Sequence, residues 1–121
     1  MNNDSILDSI KLMLGIPVDY PYFDQQLIMH INSVFGILHQ LGVGTADPYE
    51  ITGASETWDE FLEDKKNLNL VKTFMFLKVK MVFDPESSGF TTTSIAELAK
   101  EYEWRLYMAE DQRRVDELLE E

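Results

Sequence analysis

The chain of 121 residues contains no cysteine, so it has neither a disulfide framework nor thiol chemistry, which fits a reducing compartment. It is also poor in cations, with 10 Lys and Arg against 22 Asp and Glu and a formal net charge of −12. Sustained attraction to DNA phosphates is not expected on that balance. Only two histidines are present, His30 and His39. Nine positions apart on one helix, they point to opposite sides and cannot share a metal ion within one chain. No basic segment followed by an apolar block opens the chain, and no window is long and apolar enough to cross a bilayer. The expectation is a single soluble domain over residues 1–121, with no membrane partner.

What is present is helix pattern. Residues 67–84, NLNLVKTFMFLKVKMVFD, form the most apolar stretch, and its large side chains cover most of a helix circumference, so it is expected to be the buried central helix. Lys72, Lys78 and Lys80 share no single face and read as stems lying along neighbours with their ammoniums in water. The Asp84-Pro85 pair should end this helix. Ahead of it, Ser5 or Asp4 can cap a short helix with Ile6, Ile10, Met13 and Leu14 on one stripe and Gly15 as its stop. A second helix starts near Asp24 and carries Leu27, Ile28, Ile31, Val34, Phe35, Leu38 and Leu41 at steps of three and four before Gly42. Residues 42–56, GVGTADPYEITGASE, read as a long loop. Thr57 with Glu60 makes a capping box for a short helix, and Ser94 with Glu97 makes another for the last one. The fold expected is all-α, a small bundle of four to five helices with a long central loop and an extended C-terminal helix. Residues 1–106 form the bundle core, and 107–121 form a helical extension.

The last helix carries two apolar stripes. Ile95, Leu98, Ala99, Tyr102 and Leu106 make one, suited to the core; Trp104, Met108, Val115 and Leu118 lie nearly opposite and continue past Arg113 and Arg114, where the first has faded. The second stripe, with Arg113 and Arg114, is therefore a candidate interface with another chain. A helix wrapped on two sides by its own domain, or an amphipathic tail, is the plainer alternative. Charge is segregated as well. Residues 47–64 hold seven carboxylates (Asp47, Glu50, Glu56, Asp59, Glu60, Glu63, Asp64) and no cation, while residues 65–83 hold five lysines and no acid. Intramolecular pairing, contact between subunits and plain solvation all produce such a division.

Catalytic constellations are missing. Gly42-Val43-Gly44 follows a helix and lacks the third glycine of a dinucleotide fingerprint, so a helix stop accounts for it. Gly53-Ala54-Ser55 lacks the closing glycine of a nucleophile elbow. The positions Asp47, Tyr49 and Ile51 do not supply calcium ligands. Carboxylate pairs at Asp59/Glu63 and Glu60/Asp64 have no Glu-x-x-His partner helices. No cofactor or metal is expected, and no enzyme activity.

Several stretches together resemble a known family: SIKLMLGIP near the start, MHINSVFGILHQLGVG at 29–44, TWDEF at 57–61, VKTFMFLKVKMVFDPESS at 71–88 and ELAKEYEWRL at 97–106. The combination of Ile-Asn-Ser-Val-Phe, Leu-Gly-Val-Gly and Phe-Asp-Pro, in that order, is similar to small head-tail connector (head completion, adaptor) proteins of long-tailed double-stranded DNA phages and prophages. The resemblance implies a non-enzymatic virion protein of the neck, made in the host cytoplasm and assembling as a homo-oligomeric ring, expected to be a dodecamer. Its partners would be the portal protein and a tail or stopper protein, with DNA passing through without specific binding. The segment 107–121, YMAEDQRRVDELLEE, is longer than the family leads one to expect.

The residues agree with that picture in three ways. An acidic ring lumen would let DNA slide without sticking, and the residues from Asp47 to Asp64 are its candidate surface. Segregated charges could meet across a ring-closing contact. The 42–56 loop could be ordered by a partner. Each has a plainer counterpart in solubility, intramolecular pairing and an idle loop. A competing function is that of a small acidic protein that mimics DNA and inhibits a DNA-binding enzyme.

Overall fold

Five helices follow one another in the computed structural model, which describes residues 5–45, 47–62, 67–83 and 89–120. Helix α1 spans Ile6–Met13 and opens on Ser5, an extended residue whose hydroxyl accepts from the Asp8 N–H at 3.2 Å. Gly15, at φ +81°, ends it as the sequence suggests. The buried stripe of α1 is Ile6, Leu7 and Ile10, whereas Met13 is exposed.

Helix α2, Asp24–Gln40, buries Leu27, Ile31, Val34, Phe35 and Leu38 and stops at Gly42, φ +86°. Helix α3 is the single turn Trp58–Phe61, where the Thr57 hydroxyl accepts from the Glu60 N–H at 3.3 Å. Helix α4, Leu68–Phe83, is the central helix expected, with Val71, Phe74, Met75, Leu77 and Val79 buried. Asp84 and Pro85 lie outside the described residues. The α4 lysines are half-buried and lie over rings: Lys72 over Trp58 (5.7 Å), Lys78 over Phe74 (6.0 Å) and Lys80 over Phe76 (5.9 Å). That is the amphipathic use of lysine anticipated from the pattern.

Helix α5 runs Gly89–Glu120, about 48 Å at 1.5 Å per residue. Its start corrects the sequence reading. Ser94 does not cap it; the helix already includes the threonines before Ser94. Packing of α5 along α4 outweighs the modest cost of threonine in a helix, since tertiary contact rather than propensity holds most helices together. Leu98, assigned to the core stripe, is exposed, while Ala99 and Leu106 are buried and Ile95 and Tyr102 half-buried.

Two contacts orient the bundle. Phe23, just ahead of α2, meets Phe83 at the end of α4 with ring centroids 5.1 Å apart, so α2 and α4 are antiparallel. At the other end, Gly42 faces Glu110 and Arg114 of α5. The core runs between these ends and includes Val43, Ile51, Trp58 and Phe61 from the loop and α3. Fully buried Phe35, in contact with Tyr49, Trp58 and Phe61, is worth on the order of 2–3 kcal/mol by burial alone. The fold is all-α, with no strand among the described residues; a lone bridge joins Ser5 and Thr57.

Candidate functional site

The 42–56 loop is built into the chain at both ends. Gly44, φ +100°, passes so close to Phe61 that a Cβ would stand 2.4 Å from the ring. Only glycine fits there, and Val43 beside it is buried. Further on, the Asn32 amide of α2 accepts from the Ile51 N–H at 2.7 Å and donates to the Ile51 carbonyl at 3.0 Å, pairing the loop backbone as a strand would. The Glu56 carboxylate accepts from the Thr52 N–H (2.8 Å), the Thr52 hydroxyl (2.7 Å) and the Gly53 N–H (3.3 Å). Burial alone would raise the Glu56 carboxyl, but these hydrogen bonds outweigh it and hold the group below its ordinary range. The Glu56 carbonyl then accepts from the Ile6 N–H at 3.1 Å, and Trp58 Nε1 donates to the Ser9 hydroxyl at 2.9 Å, tying loop and α3 to α1.

Beside Phe61, Tyr49 packs edge-on to Phe35 at 5.2 Å, and its hydroxyl is shielded from solvent with no hydrogen-bond partner among the described residues. Burial and the nearby Glu60 and Glu56 carboxylates push the phenol up to about 12. Asp47, Glu50, Asp59 and Glu60 are exposed on the loop and α3, while Glu63 and Asp64 lie outside the described residues. Of the acidic positions singled out by sequence, Glu56 differs in being half-buried and turned onto its own loop.

Helix α5 carries the candidate interface. Trp104 (62 % exposed), Tyr107, Met108, Val115, Leu118 (69 %) and Leu119 (80 %) all face solvent. At 100° per residue they fall within about 120° of one another, opposite buried Ala99 and Leu106. Sequence pattern had selected Trp104, Met108, Val115 and Leu118; Tyr107 and Leu119 widen the stripe. Its polar flanks are paired within the helix. Arg105 reaches Glu101 at 3.1 Å, Gln112 donates to Asp116 at 3.0 Å, and Arg113 binds Glu110 (Nε to Oε1, 2.7 Å) and also Glu117. Exposed pairs at this spacing are worth about 0.3–0.5 kcal/mol each, enough collectively to favour helix where bundle packing ends. The hydrogen bond and charge of Glu110 raise the Arg113 guanidinium further above its ordinary value.

Arg113 and Arg114 thus have intramolecular work. Arg114 places an Nη atom 2.7 Å from where a Gly42 Cβ would be. Contact with the bundle therefore persists to Glu110 and Arg114, and α5 is exposed from Val115 to Leu119. At that junction a cleft of about 450 Å³ opens between the loop (Gly42 to Thr45), α3 (Glu60, Phe61) and α5 (Leu106, Glu110, Arg113).

One site was missed by sequence reasoning. Lys11 is 1 % exposed; its ammonium donates to the carbonyls of Val18 (2.9 Å) and Tyr20 (2.8 Å) and sits 2.8 Å from Asp24 Oδ1. The Asp24 contact is an ion pair without hydrogen-bond alignment. Lys11 is the only Lys or Arg before Lys65, a signal that could have marked it as structural.

No group of His, Cys, Asp and Glu among the described residues could hold a metal ion, and no described helix is long and apolar enough to cross a membrane. On α5 the small helical body leaves one helix face uncovered. The chain belongs to the phage connector protein family, whose model matches residues 6–113. Neither a curated protein nor a solved structure matches it. The family match covers α1 to α4 and most of α5, ending ahead of Arg114. Membership gives the protein a structural role in connecting parts of the virion.

Proposed function

We propose that this connector forms a ring at the phage neck, between the portal and the tail or stopper protein, and gives the genome a passage. The observation that carries this reading is the uncovered stripe on α5. A chain that buries one side of a helix in its own core and leaves six large apolar side chains on the other has a surface fitted to a protein partner. Exposed Asp47, Glu50, Asp59 and Glu60, in a chain of net charge −12, suit a lumen wall that repels phosphate. The dodecamer is the ring size the family resemblance implies. An inhibitor that mimics DNA would need neither the α5 stripe nor a carboxylate folded into its own loop, as Glu56 is.

Cutting the chain after Arg114 tests the reading, because it spares the contacts at Gly42 and removes Val115, Leu118 and Leu119. The expected result is an unchanged helical spectrum and core melting with loss of neck density in imaged particles. Neck density at full occupancy in the truncated form would exclude the end of α5 beyond Arg114 as the assembly element, and absence of the chain from wild-type particles would exclude the neck altogether.

A further inference from the structure

The connector between α1 and α2 is held more firmly than its solvent-facing side chains explain. Tight turns join the Tyr20 N–H to the Pro17 carbonyl and the Asp24 N–H to the Pro21 carbonyl, both at 3.1 Å. The buried Lys11 ammonium donates to the Val18 and Tyr20 carbonyls at 2.9 and 2.8 Å. Phe23 meets Phe83, with centroids 5.1 Å apart, and both pack against the core. Tyr20 (47 % exposed) and Tyr22 (74 %) instead face solvent, their rings 6.2 Å apart and 5.9 and 5.0 Å from Phe23. Two exposed tyrosines thus stand on a fixed backbone, each leaning on an anchored ring. Little freedom remains for them to lose when another group packs on them.

Charge indicates what that group is. Asp19, directly before Tyr20, is exposed and has no ion pair among the described residues. Asp24 Oδ1 lies 2.8 Å from the same ammonium that holds the Tyr20 carbonyl, so Lys11 and Asp24 neutralise each other and the outward surface is left negative. Ring faces beside an unpaired carboxylate suit a guanidinium, which stacks flat on tyrosine and hydrogen-bonds to carboxylate at its edge.

We propose that the Tyr20–Tyr22 platform, with Asp19, docks an arginine-bearing segment of a different protein. Tyrosine and arginine are both prominent among residues that dominate interface energies. A second copy of this chain is the poorer occupant, because most of its described cations are committed: Lys11 inside the bundle, Lys72, Lys78 and Lys80 over rings, Arg105 and Arg113 to carboxylates of their own helix. Nucleic acid is poorer still, since its phosphates would meet Asp19. The contact does not depend on ring formation and is available to a lone connector as much as to a ring subunit.

Proton NMR titration of the full chain with the acetylated, amidated pentapeptide Ala-Leu-Arg-Leu-Ala tests this. The Tyr20 and Tyr22 ring signals are expected to shift and saturate, while the same peptide with citrulline, equal in shape but uncharged, leaves them in place. Tyr22→Ala and Asp19→Asn, both at exposed positions, should each weaken the arginine peptide about fivefold or more with melting unchanged. Equal shifts with the citrulline peptide would make the patch merely apolar and overturn the inference, as would undiminished affinity in both variants. In particles, a photoreactive benzophenone amino acid in place of Tyr22 is expected to crosslink to another virion protein at a peptide containing arginine. No adduct, an adduct to a second copy of this chain, or one to a peptide without a cation would overturn the proposal and leave the ring reading as it stands.

Discussion

At the scale of single residues, two positions carry constraints that the chain meets in only one way. Gly44 combines φ +100° with a Phe61 ring atom 2.4 Å from any Cβ, so Gly44→Ala must both strain the backbone and displace the ring. The expected cost is about 1–3 kcal/mol, read as a lower melting temperature, whereas Gly53→Ala, with open space around it and no positive φ, should change little. Equal melting of the two variants would contradict this packing. Lys11 is constrained differently. Lys11→Met keeps the stem but leaves two carbonyls and Asp24 without their cation, and a loss of about 2–4 kcal/mol is expected in denaturant unfolding. A near-neutral result would mean that water replaces the ammonium. Gly42 was legible in the sequence as a helix stop. The roles of Gly44 and Lys11 were not, because both depend on contacts between residues distant in the chain: Gly44 on Phe61, Lys11 on the folded-back connector.

Among the elements, the amphipathic helices were the most legible. Steps of three and four in α2 name all five residues that the core buries, together with half-buried Ile28 and Leu41 packed against it, since a long periodic helix has one way to face its neighbours. Both stripes of α5 were legible for the same reason, apart from exposed Leu98, but its start was not, because Ser94 and Glu97 imitate a cap that packing against α4 overrides. The loop was recognised by its glycines and proline, yet its anchoring was hidden: Asn32 looked like one more polar position on a helix, and Glu56 like one more surface acid. The Glu56 carboxyl is held below its ordinary 4.5, so its contribution to loop order is present above about pH 4.5 and is lost as pH falls through the lower folded value. Amide protection in residues 52–56, measured as exchange relative to the intrinsic rate at each pH, should therefore fall on acidification in the wild-type chain. In Glu56→Ala that protection should be low already at neutral pH and show no such step. A step of equal size in both chains would assign it to other carboxylates.

For the whole molecule, the proposed ring requires one acidic chain both to cohere with its neighbours and to tolerate a passing polyanion. Its cations are largely committed inside the chain: Lys11 to the connector, Lys72, Lys78 and Lys80 to aromatic rings, Arg105 and Arg113 to carboxylates of their own helix. Asp47, Glu50 and Glu60 remain on the surface of the loop and α3. If those residues line the passage, replacing them together by Asn, Gln and Gln leaves the core untouched and lowers the local repulsion of phosphate. Melting should stay within about 0.5 kcal/mol of wild type, as for surface substitutions generally. Particles should still assemble, but genome release should slow, and slow further at low ionic strength, where unscreened attraction from the remaining cations acts over a longer range. Release at the wild-type rate across a range of salt would place these carboxylates on the outside of the ring, where their charge serves solubility alone.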